Sequence, residues 1–482
     1  MKRIYLFIVS FFYIALTFSQ SYAPTWESID SRPVPQWFSE AKFGIFIHWG
    51  VYSVPSYRPF GKEKEGTYAE WYESDVMNKP AMNDSFHTRT YGKDFAYRDF
   101  AKMFKAELFN PDQWAQLVKD AGARYVIFTA KHHDGYCMWP TKDIYSKNWN
   151  VMDVGPKRDI VDNLAQAIRN KGIRFGIYYS LMEWESTPAI SRNTGYYIDK
   201  SVFYKYAIPT DRYTEHIHGQ LRELVNLYKP SIIFADGAWD YDESYWKSTD
   251  FLSWLYSSSP VKDEIVVNDR WGKDCPGKHG GYYSTEYSHG SENLTADHPW
   301  EECQGIGYSF GYNRVETSAD YKTSDALVKL LIQIVSKGGN FLLNVGPSAD
   351  GRIPELQQER LLDIGNWLKV NGEAIYETQN IRFQESYIPQ DPNGEQNVFL
   401  TTKGDAVYVL FTKWPSDKTI VITDIKTSAQ TKAQLLSNPE KNLLINMKGT
   451  GIAITLPSYS PMLNNPGNAW VIKLNDVMIQ DK

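Results

Sequence analysis

The chain has 482 residues, enough for a large core and for more than one domain. Its 51 basic and 57 acidic residues give a formal net charge of −6, which argues against the concentrated basic surface of a nucleic-acid-binding protein. Three cysteines, Cys137, Cys275 and Cys303, are too few for a disulfide scaffold; the sequence leaves open whether Cys275 and Cys303 pair.

Lys2 and Arg3 precede an apolar run over 4–18, followed by the small and polar residues Ser19, Gln20, Ser21, Tyr22 and Ala23. This order predicts a signal peptide over 1–23 and a secreted or periplasmic protein, with no membrane attachment once it is removed. Left uncleaved, the run would be a short anchor. Aromatic residues make up 15% of the chain, with 16 Trp and 33 Tyr. They suit a large core, or a cleft in which ring faces pack on the apolar face of a sugar.

The first strand is expected over 43–47, ending in His48-Trp49-Gly50. The stretch 51–105 is aromatic and poorly periodic, and is expected to be an elaborated loop around Tyr68-Ala69-Glu70-Trp71-Tyr72. From Asn110 the pattern becomes regular. Asn110 is a cap with Pro111 at the first helical position. Trp114, Leu117, Val118 and Ala121 then share one helical face, and Gly122 ends it. An apolar strand over 125–129 leads to Lys131-His132-His133-Asp134-Gly135. The helix–strand unit recurs with a helix containing Val161, Leu164, Ala165 and Ile168 and a strand over 175–179. It recurs again with Leu221, Leu224, Val225 and Tyr228 and a strand over 231–235 that ends in Asp236-Gly237. Further strands are expected over 264–268, before Asp269-Arg270-Trp271, and over 340–345. Helices over 324–336 and 354–370 complete the series.

Helices alternating with fully apolar strands mean parallel strands covered by helices. Polar or aromatic clusters follow at least five strands, which favours a (β/α)8-type barrel over a doubly wound sheet. There is also no glycine-rich dinucleotide or phosphate loop. Past 379 the texture changes to short strands and turns, a C-terminal β-sandwich of roughly 100 residues. The expected organisation is a catalytic barrel over 24–378 and a sandwich over 379–482.

In such a barrel the C-terminal strand ends face the active site. Asp236 is therefore a candidate nucleophile, against the alternative of a turn aspartate paired with Gly237. The strand ends also present His48, His132, His133, Tyr178 and Arg270. The segment 283–287, containing Glu286, and the pair Trp300-Glu301 are expected on later loops. Two carboxyl groups flanking a bond are what glycoside hydrolysis requires. A rival arrangement is a zinc site made from His48, His132, His133 and Asp236. Against it, adjacent histidines on an extended strand point to opposite sides, and the paired spacing of zinc motifs is missing. A third possibility is a lectin-like barrel that binds a sugar without cleaving it.

Six segments together resemble the α-L-fucosidases of glycoside hydrolase family 29: Phe43-Gly44-Ile45-Phe46-Ile47-His48-Trp49-Gly50, Ala69-Glu70-Trp71-Tyr72, Lys131-His132-His133-Asp134-Gly135, Tyr178-Tyr179-Ser180, Phe234-Ala235-Asp236-Gly237 and Gly338-Gly339-Asn340-Phe341-Leu342-Leu343-Asn344-Val345-Gly346-Pro347. The resemblance covers nearly all of the chain after the signal. It implies a retaining exo-α-L-fucosidase with a barrel and a C-terminal sandwich, acting on fucosylated oligosaccharides or glycoconjugates without a cofactor. It implies that Asp236 is the nucleophile, that His48, Glu70, Trp71, His132, His133, Tyr178 and Arg270 hold fucose, and that Phe310 faces its methyl group. The segment 283–287 resembles the bacterial acid/base loop, which makes Glu286 the acid/base and Glu301 the alternative. One departure is Phe234, where many members have tryptophan; an indole N–H donor is absent there.

Overall fold

The computed structural model describes residues 21–62, 64–77, 86–187, 206–288, 298–381, 388, 396–460 and 469–479. Most of the expected signal peptide, residues 1–20, lies outside them. Among the described residues no helix is long and apolar enough to cross a membrane.

Eight strands form one sheet: β1 (Phe43–Ile47), β2 (Tyr125–Lys131), β3 (Arg174–Ser180), β4 (Ile232–Asp236), β5 (Val266–Val267), β6 (Tyr283–Glu286), β7 (Trp300–Gly305) and β8 (Asn340–Val345). Their spatial order is β5-β4-β3-β2-β1-β8-β7-β6, and every pair is parallel. The last strand thus returns beside the first, with Phe341 opposite Phe43. At the seam between β5 and β6, Gly281 N and Tyr282 N donate to Val267 O at 3.0 and 3.2 Å. The sheet is the expected (β/α)8-type barrel.

Among the described residues six longer helices cover it: α1 (Pro111–Asp120), α2 (Ile160–Asn170), α3 (Thr210–Tyr228), α4 (Ser248–Ser257), α5 (Ser324–Ser336) and α6 (Glu355–Asn371). The start of α1 follows from its sequence. The Asn110 side chain accepts from Asp112 N and Gln113 N, both at 3.1 Å, with Pro111 in the first turn. Inside the barrel, Gly44 is needed by packing rather than by its backbone. A Cβ there would stand 2.3 Å from the Tyr125 ring.

Two segments expected on loops are strands. Residues 283–287 contribute β6, and Trp300 and Glu301 begin β7. The reason is the polar lining of this side of the barrel. β7 reads Trp-Glu-Glu-Cys-Gln-Gly and is buried throughout, so no apolar run announces it. The strand expected over 264–268 is shorter, Val266–Val267 only. The stretch 51–105 holds short helical turns, among them Val51–Ser53, Ala69–Trp71 and Tyr97–Lys102.

Beyond the barrel, antiparallel strands form a six-stranded and a three-stranded sheet. Val407, Val409 and Phe411 pack with Ile420, Ile422, Ile452 and Ile454 between the two sheets. Tyr408 and Leu410, pointing the other way, join the barrel's core. Burial on both faces explains the unbroken apolar run of this strand. The strands Ile425–Leu435, Asn438–Asn442 and Leu444–Lys448 carry no such run, because they are largely exposed. All three cysteines are buried free thiols, so Cys275 and Cys303 do not pair.

Candidate active site

The C-terminal ends of the barrel strands surround a cavity of about 250 Å³. Asp236 is the last residue of β4. The adjacent backbone is fixed by Asn268, whose side-chain amide accepts from Ala235 N at 2.9 Å and donates to Ala235 O at 2.8 Å. Gly237 then turns the chain at φ +74°, where a Cβ would meet Ser180 Oγ at 2.8 Å. Asp236 thus ends the strand, and the glycine that follows it makes the turn.

The Asp236 carboxylate has three neighbours. Tyr178 Oη donates to Oδ2 at 2.8 Å. His133 Nε2 lies 3.7 Å from Oδ2. Arg270 Nη1 reaches Oδ1 at 3.3 Å. Burial alone would raise the carboxyl pKa; the Arg270 charge, His133, the Tyr178 bond and the Gly237 N–H outweigh it and hold the group below the usual carboxylate range. Burial pushes His133 down to about 4, so near neutral pH the charged neighbour is Arg270.

Arg270 also faces the second carboxylate. Its Nη1 and Nη2 lie 3.3 and 3.4 Å from Glu286 Oε2. The other oxygen, Oε1, accepts from Tyr68 Oη at 2.5 Å. Arg270 is anchored through Nε to Ser284 Oγ at 2.9 Å, and Ser284 donates to Asp269 Oδ1 at 2.7 Å. Because one nitrogen touches Asp236 Oδ1 and Glu286 Oε2 at 3.3 Å each, these oxygens are at most twice that distance apart.

The remaining polar groups are mostly neutral. Burial pushes His48 down to about 3 and His132 well below the ordinary range. His48 Nδ1 pairs with Asn344 Oδ1 at 2.7 Å, and Asn344 Nδ2 donates to Phe310 O at 2.6 Å. Glu70 Oε2 accepts from Gly311 N at 2.7 Å and Ser309 Oγ at 3.2 Å. Burial nevertheless pushes Glu70 up to about 7. An apolar wall comprises Phe46, Phe234 and Phe310, with Phe310 stacked 4.9 Å from His48.

All ten expected site residues line this one cavity: His48, Glu70, Trp71, His132, His133, Tyr178, Asp236, Arg270, Glu286 and Phe310. His132 and His133 do so together, contrary to the expectation from strand alternation. They lie just past β2, where that alternation no longer applies. Glu301 is absent from the lining. It is buried in β7 and accepts from Tyr125 Oη at 2.5 Å, with its pKa pushed up to about 8 by burial. Phe46, Tyr68, Phe234, Trp239 and Cys303 also line the cavity. Tyr68 and Trp239 flank sequence segments that already stood out; Cys303 carries no sequence signal. Among the described residues no three His, Cys, Asp or Glu side chains are grouped to hold a metal ion. His48 Nδ1 and His133 Nδ1 are engaged by Asn344 and Ser180, and the cation facing Asp236 is a guanidinium.

Comparison with known proteins adds a family. The Alpha-L-fucosidase model matches residues 13–373, and the Alpha-L-fucosidase C-terminal domain model matches residues 390–475. The chain is 43% identical over 458 residues to the tissue alpha-L-fucosidase of Bos taurus, covering 95% of this chain and 92% of that protein. It is 42% identical to the alpha-L-fucosidase of Branchiostoma floridae, covering 96% and 98%. Among solved structures, the Thermotoga maritima alpha-fucosidase in complex with a mechanism-based inhibitor superposes with a TM-score of 0.78 at 38% identity, covering 94% of this chain and all of that one. The same enzyme in complex with fucose gives a TM-score of 0.77.

Proposed function

The chain belongs to the α-L-fucosidase family of glycoside hydrolases, and from that premise we propose that it releases terminal L-fucose with retention of configuration, through a covalent fucosyl intermediate on Asp236. The observation that carries this reading is the shared guanidinium. Retaining carboxyl pairs stand about 5–5.5 Å apart and inverting pairs about 6.5–9.5 Å. Two oxygens that touch one Arg270 nitrogen at 3.3 Å each stand no more than about twice that distance apart, which accommodates the shorter class and leaves out nearly all of the longer range.

In the first step Asp236 attacks the anomeric carbon while the bond to the leaving oxygen breaks. Glu286 gives its proton to that oxygen. In the second step Glu286 takes a proton from water, the water oxygen bonds to the anomeric carbon, and the ester to Asp236 breaks. The negative charge therefore moves from Asp236 to Glu286 and back. Arg270, bonded to both, stays beside it at each stage. His48, His132, His133 and Glu70 suit hydrogen bonds to fucose hydroxyls, and Phe310 with Phe46 and Phe234 suits the apolar methyl group. The substrate class is a fucosylated oligosaccharide or glycoconjugate, met outside the cell or in the periplasm if residues 1–23 act as the signal their pattern suggests.

The test is Asp236→Ala. It should fold normally and lose nearly all turnover of an aryl α-L-fucoside. Added azide should restore reaction and give the fucosyl azide of opposite anomeric configuration. Turnover like that of the unsubstituted enzyme would remove Asp236 from the mechanism.

A further inference from the structure

Glu286 ends β6 with its side chain about a quarter exposed, at 27%, so its aim has to come from its partners. Two donors from different parts of the fold divide its carboxylate between them. Tyr68, from the segment after β1, takes Oε1 at 2.5 Å. Arg270 takes Oε2 at 3.3 and 3.4 Å. The arginine contacts are long because the same guanidinium also holds Asp236 and is tethered to Ser284. The phenol bond is the short, single-purpose one.

Tyr68 is itself held in place. Its ring packs 5.4 Å from Phe310, and the next residue donates its backbone N–H to Ser309 Oγ at 2.8 Å. Burial, and then the charge of Glu286, push the phenol well above its ordinary pKa, so it remains a protonated donor.

We propose that Tyr68 is the positioning residue of the proton-transfer step. It binds Oε1 of Glu286, so that Oε2, held only by the longer Arg270 contacts, is the oxygen that delivers and recovers the proton. The proposal rests on Glu286 being the acid/base. A phenol has one proton to donate. Its bond to Oε1 suits both states of Glu286, because Oε1 is the carbonyl oxygen of the acid and one of the two equivalent oxygens of the carboxylate. In the first half-reaction the Oε2 proton passes to the glycosidic oxygen as the C–O bond breaks. In the second, a water proton returns to Oε2 as the water oxygen bonds to carbon and Asp236 leaves. The Tyr68 proton stays on Tyr68 throughout, and no further reactant is required.

The experiment compares Tyr68→Phe, Glu286→Ala and the double variant on two substrates, a fucosylated disaccharide and a nitrophenyl α-L-fucoside. A nitrophenolate hardly requires protonation to leave; a sugar alkoxide does. Positioned proton transfer is worth roughly 10²–10⁴-fold, so Tyr68→Phe should lower kcat on the disaccharide about 10- to 100-fold and change KM less than about 3-fold. The nitrophenolate burst rate should change less than about 3-fold. In the Glu286→Ala background the loss of the hydroxyl should have no further effect, because the two act as one unit. Equal losses on both substrates with a raised KM would overturn the proposal and make Tyr68 a sugar contact. An undiminished effect in the Glu286→Ala background, or normal disaccharide turnover by Tyr68→Phe, would also overturn it while leaving Glu286 in place. If Glu286→Ala itself shows no preference for the activated leaving group, the reading of Glu286 falls first and that of Tyr68 with it.

Discussion

Tyr178→Phe removes one atom from the site, the hydroxyl that donates to Asp236 Oδ2 at 2.8 Å. The ring has reason to stay where it is, stacked 5.5 Å from His132 and 5.9 Å from Phe234. Both partners of the lost bond are buried. A hydrogen bond to a charged group contributes roughly 1.5–3 kcal/mol, which at about 1.4 kcal/mol per tenfold corresponds to roughly a 10- to 100-fold change in rate. The two steps should not suffer equally. Tyr178 stabilises Asp236 as a carboxylate, which is the nucleophile of the first step and the leaving group of the second. Its loss should slow the second step most, so the fucosyl enzyme accumulates. Rapid mixing with a nitrophenyl α-L-fucoside should show a burst approaching one nitrophenolate per site, followed by a steady rate about 10- to 100-fold below normal. The Tyr178 bond also helps hold the Asp236 pKa down, so its loss should move the acidic limb of the pH profile to higher pH. An unchanged steady rate with an unmoved acidic limb would refute the reasoning.

Three further outcomes follow from the same geometry. Glu301→Gln should keep the ordinary dependence on leaving group, because Glu301 lies in β7 bonded to Tyr125 and away from the cavity; loss of disaccharide turnover alone would restore it as acid/base. Burial raises Glu70 to about 7 from 4.5, so the native state favours its protonated form and stability is lost as pH rises from about 4.5 through about 7. Glu70→Gln should flatten that decline by on the order of 3 kcal/mol in denaturant melts between these pH values, and parallel stability curves for the two proteins would contradict it. Dialysis against EDTA should leave turnover unchanged, since the cation beside Asp236 is Arg270; activity lost to chelation and restored by zinc would favour a metal mechanism instead.

Much of the barrel is readable in the chain because strands covered by helices are apolar on both faces. The runs beginning at Phe43, Tyr125, Ile232 and Asn340 announce themselves in this way. β6 and β7 do not. β7 buries Glu301 on its inward face and Gln304 on its outward one, polar groups that break any hydrophobic pattern. In the sandwich, exposure hides the strands 438–442 and 444–448 for the opposite reason. The site is legible wherever a polar residue ends an apolar strand, as at His48 and Asp236. Tyr68 shows the limit. It adjoins a conspicuous segment, but its partner Glu286 stands 218 residues away, and only the folded barrel brings the phenol to that carboxylate. Likewise, nothing in the spacing of Asp236, Arg270 and Glu286 indicates that one guanidinium would hold both acids.

The central claim is that Asp236 forms a bond to the sugar. It is tested most directly by peptide mass mapping after reaction with a 2-deoxy-2-fluoro-L-fucosyl donor, in which the fluorine slows breakdown of the intermediate. The account predicts a single sugar-sized adduct on the peptide containing Asp236, lost on slow turnover. An adduct on Glu286 or Glu70, or no adduct together with a first-formed product of inverted configuration, would contradict it.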